Sequence, residues 1–270
     1  HQATQNGVVN LVVLDINKLS FGYDSDCTIL HDIDIHLNGG GLVCIIGPNG
    51  VGKSTLVRCV NGLLKPVSGN VMIDGRDVSE MTAAEIANII SFVPATSSIA
   101  FPMSVVDSIL IALERKDRWH TSSEDLAKVY LALDVMRMRD LALRNCNELS
   151  AGQIQKVALC RGLVRDSELL VLDEPTANLD IKHQIFVSDF MHELSKATDR
   201  MILMISHDLN LAARYASTVI VMSKPGIIYD VGSPAEVITE KMIRDVYDVD
   251  AEVVVKEGLP YVFLRNALSW

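Results

Sequence analysis

Residues 47–55 read GPNGVGKST. They follow the apolar run LVCII (42–46) and precede LVRCVNGLL (56–64), whose apolar spacing is helical. The stretch satisfies G-x-x-x-x-G-K-[ST] in the strand–loop–helix setting the pattern requires. Gly47, Gly50 and Gly52 free the backbone so that the loop's N–H groups turn toward one anion. The helix start adds partial positive charge. Lys53 offers a mobile cation to β- and γ-phosphates, and Ser54 offers a hydroxyl to Mg²⁺. Pro48, Asn49, Gly50, Gly52, Lys53, Ser54 and Thr55 are therefore the candidate nucleotide contacts.

Outward from this loop, the apolar runs set the fold. LVCII, LLVLD (169–173), MILMIS (201–206) and TVIVMS (218–223) are continuous, as in strands buried on both faces of a parallel sheet. Ile33, Ile35 and Leu37 alternate with Asp32, Asp34 and His36, the mark of a half-buried strand. SGNVMIDG (68–75) reads as a short strand between two turns. SVVDSILIALERK and EDLAKVYLALDVM make residues 94–166 a mostly helical block. Phe186, Phe190 and Leu194 lie on one helical face. SPAEVITEKMIRDVY (233–247) reads as one helix with Ser233 as N-cap and Pro234 in the first turn. The expected fold is α/β, with a mainly parallel sheet around the phosphate loop, an N-terminal antiparallel β subdomain and an inserted α-helical subdomain. One domain over 1–270 is expected, with a core at 10–93 and 167–270 and the helical block at 94–166.

LLVLDEP supplies the other half of a phosphate site. Its strand delivers Asp173 to the carboxyl end of the sheet, where such folds bind ligands. A carboxylate there can hold Mg²⁺ with Ser54. Glu174, the next residue, can polarise an attacking water.

Composition bounds the rest. Of 270 residues, 49% are hydrophobic and 21% charged, which is a globular balance. Mean hydropathy is positive, so much is buried or some apolar surface docks. No run approaches the roughly 18–20 residues of a spanning helix. A net charge of −10 disfavours nucleic acid as a partner. Cys27, Cys44, Cys59, Cys146 and Cys160 include no C-x-x-C pair and are expected reduced and buried. The opening HQATQN has no basic region ahead of an apolar one, so no signal peptide is expected.

LSAGQ (149–153), NLD (178–180) and ISHD (205–208), in this order with the phosphate loop and LLVLDEP, resemble the ATP-binding cassette (ABC) ATPases over about residues 10–250. The resemblance implies ATP and Mg²⁺, with Lys53, Glu174 and His207 as catalytic groups. It implies Tyr23 stacked on adenine. Ser150, Gly152 and Gln153 would contact ATP held by a second copy of the chain, with Asp180 at the seam. His207 would hold Glu174 and the water in line. Ala151 stands where the common motif has glycine. Ala95 stands about where the family commonly has a glutamine that reaches Mg²⁺ and the water; either that contact is missing here, or Thr96, Ser97 or a water replaces it.

HDLNLAARYASTVIVM and GSPAEVITEKMIRDVYDVDAEV are similar to the ATPases of metal-chelate importers (iron–siderophore, haem and cobalamin types). This implies a peripheral subunit on the cytoplasmic membrane face. Its partners would be a second copy, a permease dimer and, indirectly, a substrate-binding protein. The competing readings are an exporter subunit and a soluble non-transport ATPase. The latter predicts twin cassettes or a long coiled-coil insertion and usually a basic surface; the single cassette, the short helical block and the net charge of −10 argue against it.

Overall fold

The computed structural model describes residues 11–24, 27–95, 102–113, 121–177 and 179–268. β1 (Val13–Asp24) and β2 (Cys27–Asn38) form an antiparallel pair with Leu14 opposite Leu37 and Ile16 opposite Ile35. The alternation read in 32–37 holds: Ile33, Ile35 and Leu37 are buried and the polar residues between them are exposed. Gly39 and Gly40 turn the chain into β3 (Gly41–Ile46), and the loop 47–52 leads into α1 (Lys53–Val60). β4 (Ser68–Ile73) pairs with β1, and β5 (Arg76–Asp77) closes this first sheet in the order β2-β1-β4-β5.

α2 (Ala83–Ile89) begins at a Thr82–Glu85 capping box and runs directly into β6 (Ile90–Val93). Next come α3 (Val105–Leu110), α4 (Ser123–Val135) and α5 (Ala151–Leu163), each started by a serine N-cap: Ser104, Ser122 and Ser150. The first of these is shorter than SVVDSILIALERK suggested. It tightens into a 3₁₀ turn at Ile111–Leu113, and 114–120 lie outside the described residues. β7 (Leu169–Leu172), α6 (Ile181–Thr198), β8 (Met201–Ile205), α7 (Leu209–Tyr215), β9 (Thr218–Ser223) and β10 (Ile227–Gly232) complete the core.

The second sheet runs β10-β9-β3-β8-β7-β6, with β10 antiparallel at one edge and every other pairing parallel. Its strands alternate between two apolar cores. Leu42, Cys44 and Ile46 of β3 join the core shared with α3–α7, whereas Val43 and Ile45 join the core formed with α1 and the first sheet. This two-sided burial is why the strands read as continuous apolar runs. Truncating a fully buried leucine such as Leu42 to alanine costs about 2–5 kcal/mol.

The structure corrects two expectations and adds one element that the sequence did not signal. Residues 233–247 form two helices, α8 (Pro234–Val237) and α9 (Glu240–Tyr247). Ile238 and Thr239 are both extended, and the Thr239 hydroxyl accepts the Met242 N–H, so a new cap interrupts the periodicity. Cys27, the first residue of β2, is exposed; the other four cysteines are buried as expected. Burial pushes the Cys44 and Cys59 thiols up to about 12. Finally, the chain ends in a hairpin that was not foreseen, β11 (Val249–Lys256) and β12 (Leu259–Ala267).

Candidate active site

The carboxyl ends of β3, β7 and β8 bring the phosphate loop, Asp173–Glu174 and His207 to one edge of the sheet. The loop's glycines are forced by its path. Gly47 has φ +148, and a Cβ there would lie 2.4 Å from the Met222 carbonyl oxygen. Gly52 has φ +105, and its Cβ would lie 2.7 Å from Leu30. Lys53 is 5% exposed, and its ammonium donates to the carbonyls of Gly47 (2.8 Å) and Pro48 (2.9 Å). Burial lowers the Lys53 pKa, while the charges of Glu174 and Asp173 oppose that shift. Thr55 is buried; Pro48 and Asn49 stand at the loop's surface, half-buried and exposed respectively.

Ser54 Oγ donates to Asp173 Oδ1 at 2.8 Å. Asp173 is buried, and its backbone N–H donates to Val93 on β6 at 2.9 Å. Burial raises its pKa, the Glu174 charge raises it further, and Ser54, Arg58 and Lys53 pull it down. A hydroxyl and one carboxylate side by side are hard oxygen donors, which suit Mg²⁺ completed by phosphate and water. No cluster of three His, Cys, Asp or Glu exists among the described residues, so no all-protein metal cage competes with that fit.

Glu174 adopts φ +50, a left-handed conformation uncommon for a side chain of its size. Its Oε1 lies 2.6 Å from His207 Nε2, within hydrogen-bond reach. Ser206 anchors the end of β8 by donating its N–H to the Ile45 carbonyl (3.1 Å), and Asp208 caps α7 immediately after His207. A carboxylate fixed by an imidazole beside a phosphate loop can orient and polarise a water.

The other anticipated residues stand apart from this cluster in different surroundings. Tyr23 is 55% exposed at the end of β1, edge-on to Phe21 with ring centroids 5.0 Å apart. Ser150 and Gln153 form the capping box that begins α5: the Ser150 N–H donates to Gln153 Oε1 (2.9 Å), and the Gln153 N–H donates to Ser150 Oγ (3.3 Å). Gly152 lies between them in the first turn, and Ala151 is exposed. Such a capped start is suited to an anion. Asp180 caps α6, and its Oδ1 accepts the backbone N–H of His183 (2.9 Å) and also meets the ring Nδ1 (2.8 Å). The backbone bond from His183 is the main reason its pKa is lowered. Asn178 lies outside the described residues.

Ala95 is half-buried, two residues beyond Val93. Val93 pairs with Leu172 and accepts the Asp173 N–H, so the chain at Ala95 leaves the sheet beside Asp173. Alanine there presents neither donor nor acceptor. Thr96 and Ser97 lie outside the described residues.

Two contacts around the site had no sequence signal. Asn210, three residues after His207, holds the backbone of β12, and Tyr247 at the end of α9 turns its phenolic oxygen toward the Gly47 N–H.

The ABC transporter family model matches residues 30–177, which hold the phosphate loop, LSAGQ and LLVLDEP. An uncharacterized ABC transporter ATP-binding protein of Methanocaldococcus jannaschii is 38% identical over 254 residues, 94% of this chain and 98% of its own. The iron(3+)-hydroxamate import ATP-binding protein FhuC of Bacillus subtilis is 32% identical over 89% of this chain and 90% of its own. Among solved structures, the ADP conformation of an ATP-binding cassette of an ABC transporter superposes with a TM-score of 0.74 at 26% identity, covering 88% of this chain and 98% of that one.

Proposed function

The chain belongs to the ABC transporter family as an ATP-hydrolysing, ATP-binding subunit, and from that premise we propose that it drives the import of a metal chelate through a separate permease. The observation that carries the ATPase half of the reading is the cluster of Lys53, the Ser54–Asp173 pair and the Glu174–His207 pair at one sheet edge. Lys53 and the loop N–H groups bind the β- and γ-phosphates. Ser54 and Asp173 would hold Mg²⁺, which when bound offsets phosphate charge. Glu174 polarises the attacking water, and His207 keeps the carboxylate in place. Tyr23 stacks on adenine at the exposed end of β1.

A capped helix start at Ser150–Gln153 and an exposed Asp180 support a head-to-tail pair of chains. In that pair Ser150, Gly152 and Gln153 of one chain meet the ATP of the other, and Asp180 lies at the seam. We take residues 1–270 as one such cassette, with the helical block bearing the signature. No helix among the described residues is long and apolar enough to cross a membrane. By likeness to the importer ATPases, the subunit would dock on a permease dimer at the cytoplasmic face, and a substrate-binding protein would act through that permease.

The import class, with iron–siderophore, haem or cobalamin as cargo, is supported by likeness to the hydroxamate importer's ATPase across nine-tenths of both chains. Pull-down from detergent-solubilised membranes of the source cell, read by mass spectrometry, tests it. A multi-spanning permease encoded with a substrate-binding protein is the expected companion. An exporter component, or only soluble proteins and nucleic acid, would overturn the import reading.

A further inference from the structure

We propose that Asn210 is a positioning residue for the His207–Glu174 pair, and that it works by clamping the C-terminal hairpin to the start of α7. The inference rests on the ATPase reading of that pair. Asn210 Oδ1 accepts the Val262 N–H at 2.8 Å, and Asn210 Nδ2 donates to the Val262 carbonyl at 3.2 Å. One side-chain amide thus does for β12 what a neighbouring strand would do, satisfying both backbone groups of a residue that is 7% exposed. Asn210 is not needed as a helix cap. Asp208 fills that role, accepting the N–H groups of Asn210 (2.8 Å) and Leu211 (3.0 Å).

The segment between clamp and reacting pair is short and stiff. Asp208 N–H donates to Ser206 Oγ (3.2 Å), and Ser206 N–H donates to Ile45 on β3 (3.1 Å). His207 sits inside this bracket and meets Glu174 at 2.6 Å. On the far side, the hairpin is seated by Ala251 and Val262 in the main core. The Val253 N–H also donates to Glu240 on α9 at 3.1 Å. α9 ends at Tyr247, whose oxygen faces Gly47 of the phosphate loop. The C-terminal unit therefore touches the segments carrying both halves of the reacting geometry. A misplacement of about 1 Å in such a pair can cost about 10²-fold in rate.

The test compares the full chain with Asn210→Ala and Asn210→Asp in MgATP saturation kinetics, well below each variant's melting temperature. Asp keeps the acceptor for the Val262 N–H but sets an oxygen against its carbonyl. Expected for alanine is a fall of about tenfold in kcat with KM within about twofold, and for aspartate a smaller fall in the same direction. Unchanged kcat in both variants, or a lowered Tm with kcat per folded molecule intact, would overturn the proposal. Glu174→Gln is measured alongside. If that variant turns over normally, the ATPase reading of the pair has failed; if it is inactive while the Asn210 variants are not, only the clamp has failed.

Discussion

The phosphate loop and the start of α5 are the two helix N-termini proposed to hold phosphate, yet only the first has its polar side chains tied together within one chain. Lys53 is buried with two carbonyl acceptors, and Ser54 is tied to Asp173 across 119 residues of sequence. At α5, Ser150 and Gln153 bond mainly to each other, and Ser150 and Ala151 face solvent. Folding alone assembles the first proposed site and leaves the second exposed. In the proposed pair of chains, that difference makes hydrolysis depend on association.

The largest effects should separate the two regions. Glu174→Gln removes the base but none of the phosphate contacts, so turnover should fall by about 10²–10⁴-fold while ATP binding persists. Gly152→Asp sets a negative charge in the first turn of α5. If α5 serves only the partner's ATP, the affinity of dilute, unassociated chain for ATP should stay unchanged. Steady-state turnover at high protein concentration should fall by about tenfold or more. Weaker ATP binding in the dilute variant would mean that α5 serves its own chain's nucleotide, and the contrast would collapse.

Ala95 sharpens the same comparison within the finished region. The backbone leaves β6 beside Asp173, and the side chain there offers no polar atom. The proposed Mg²⁺ ligands Ser54 and Asp173 and the proposed base Glu174 remain, so the unaltered chain should hydrolyse ATP. Ala95→Gln should raise turnover by about tenfold at most, the lower end of what contacts outside the direct ligand set contribute. Background turnover in the unaltered chain that glutamine restores would show Ala95 to be disabling.

What the sequence disclosed follows from how local each constraint is. A strand buried on both faces must be apolar throughout, so β3, β7, β8 and β9 were visible as runs, and the glycines of 47–52 marked the loop between strand and helix. The C-terminal hairpin lacks such a pattern. Val254, Val255, Tyr261, Phe263 and Leu264 are apolar yet exposed, so burial imposes no clean alternation. Its turn, Glu257–Gly258 at φ +55 and +80, has the positive φ pair common in two-residue hairpins, but glutamate in the first position is not among the residues that signal it. The break between α8 and α9 depends on one threonine cap inside a helical period. Asn210 bonds a backbone 52 residues away, and the pairing leaves no trace in the local sequence.

The smallest effect probes what the finished site costs in stability. Asp173 is buried, and its carboxyl is shifted upward chiefly by burial, with the Glu174 charge adding to it. A folded-state pKa above the unfolded one means that the native state protonates first as pH falls. Above both values the charged, buried carboxylate therefore weighs fully against folding. Asp173→Asn keeps an acceptor for Ser54 and removes that charge. In nucleotide-free protein at neutral pH it should raise Tm by a few degrees, about 2–4 °C for each kcal/mol at this size. The advantage should shrink as pH falls through the raised pKa toward the ordinary carboxylate range, where the native aspartic acid is itself neutral. Lys53 opposes this gain, because it loses one of the two negative charges that support its protonation; it keeps Glu174 and two carbonyls. Melts of both proteins across that pH range decide the sign. A variant less stable at neutral pH would mean that the Lys53–Asp173 attraction outweighs the burial of the carboxylate. The phosphate loop would then be finished by favourable pairing within the chain, with nothing held in reserve for the nucleotide to relieve.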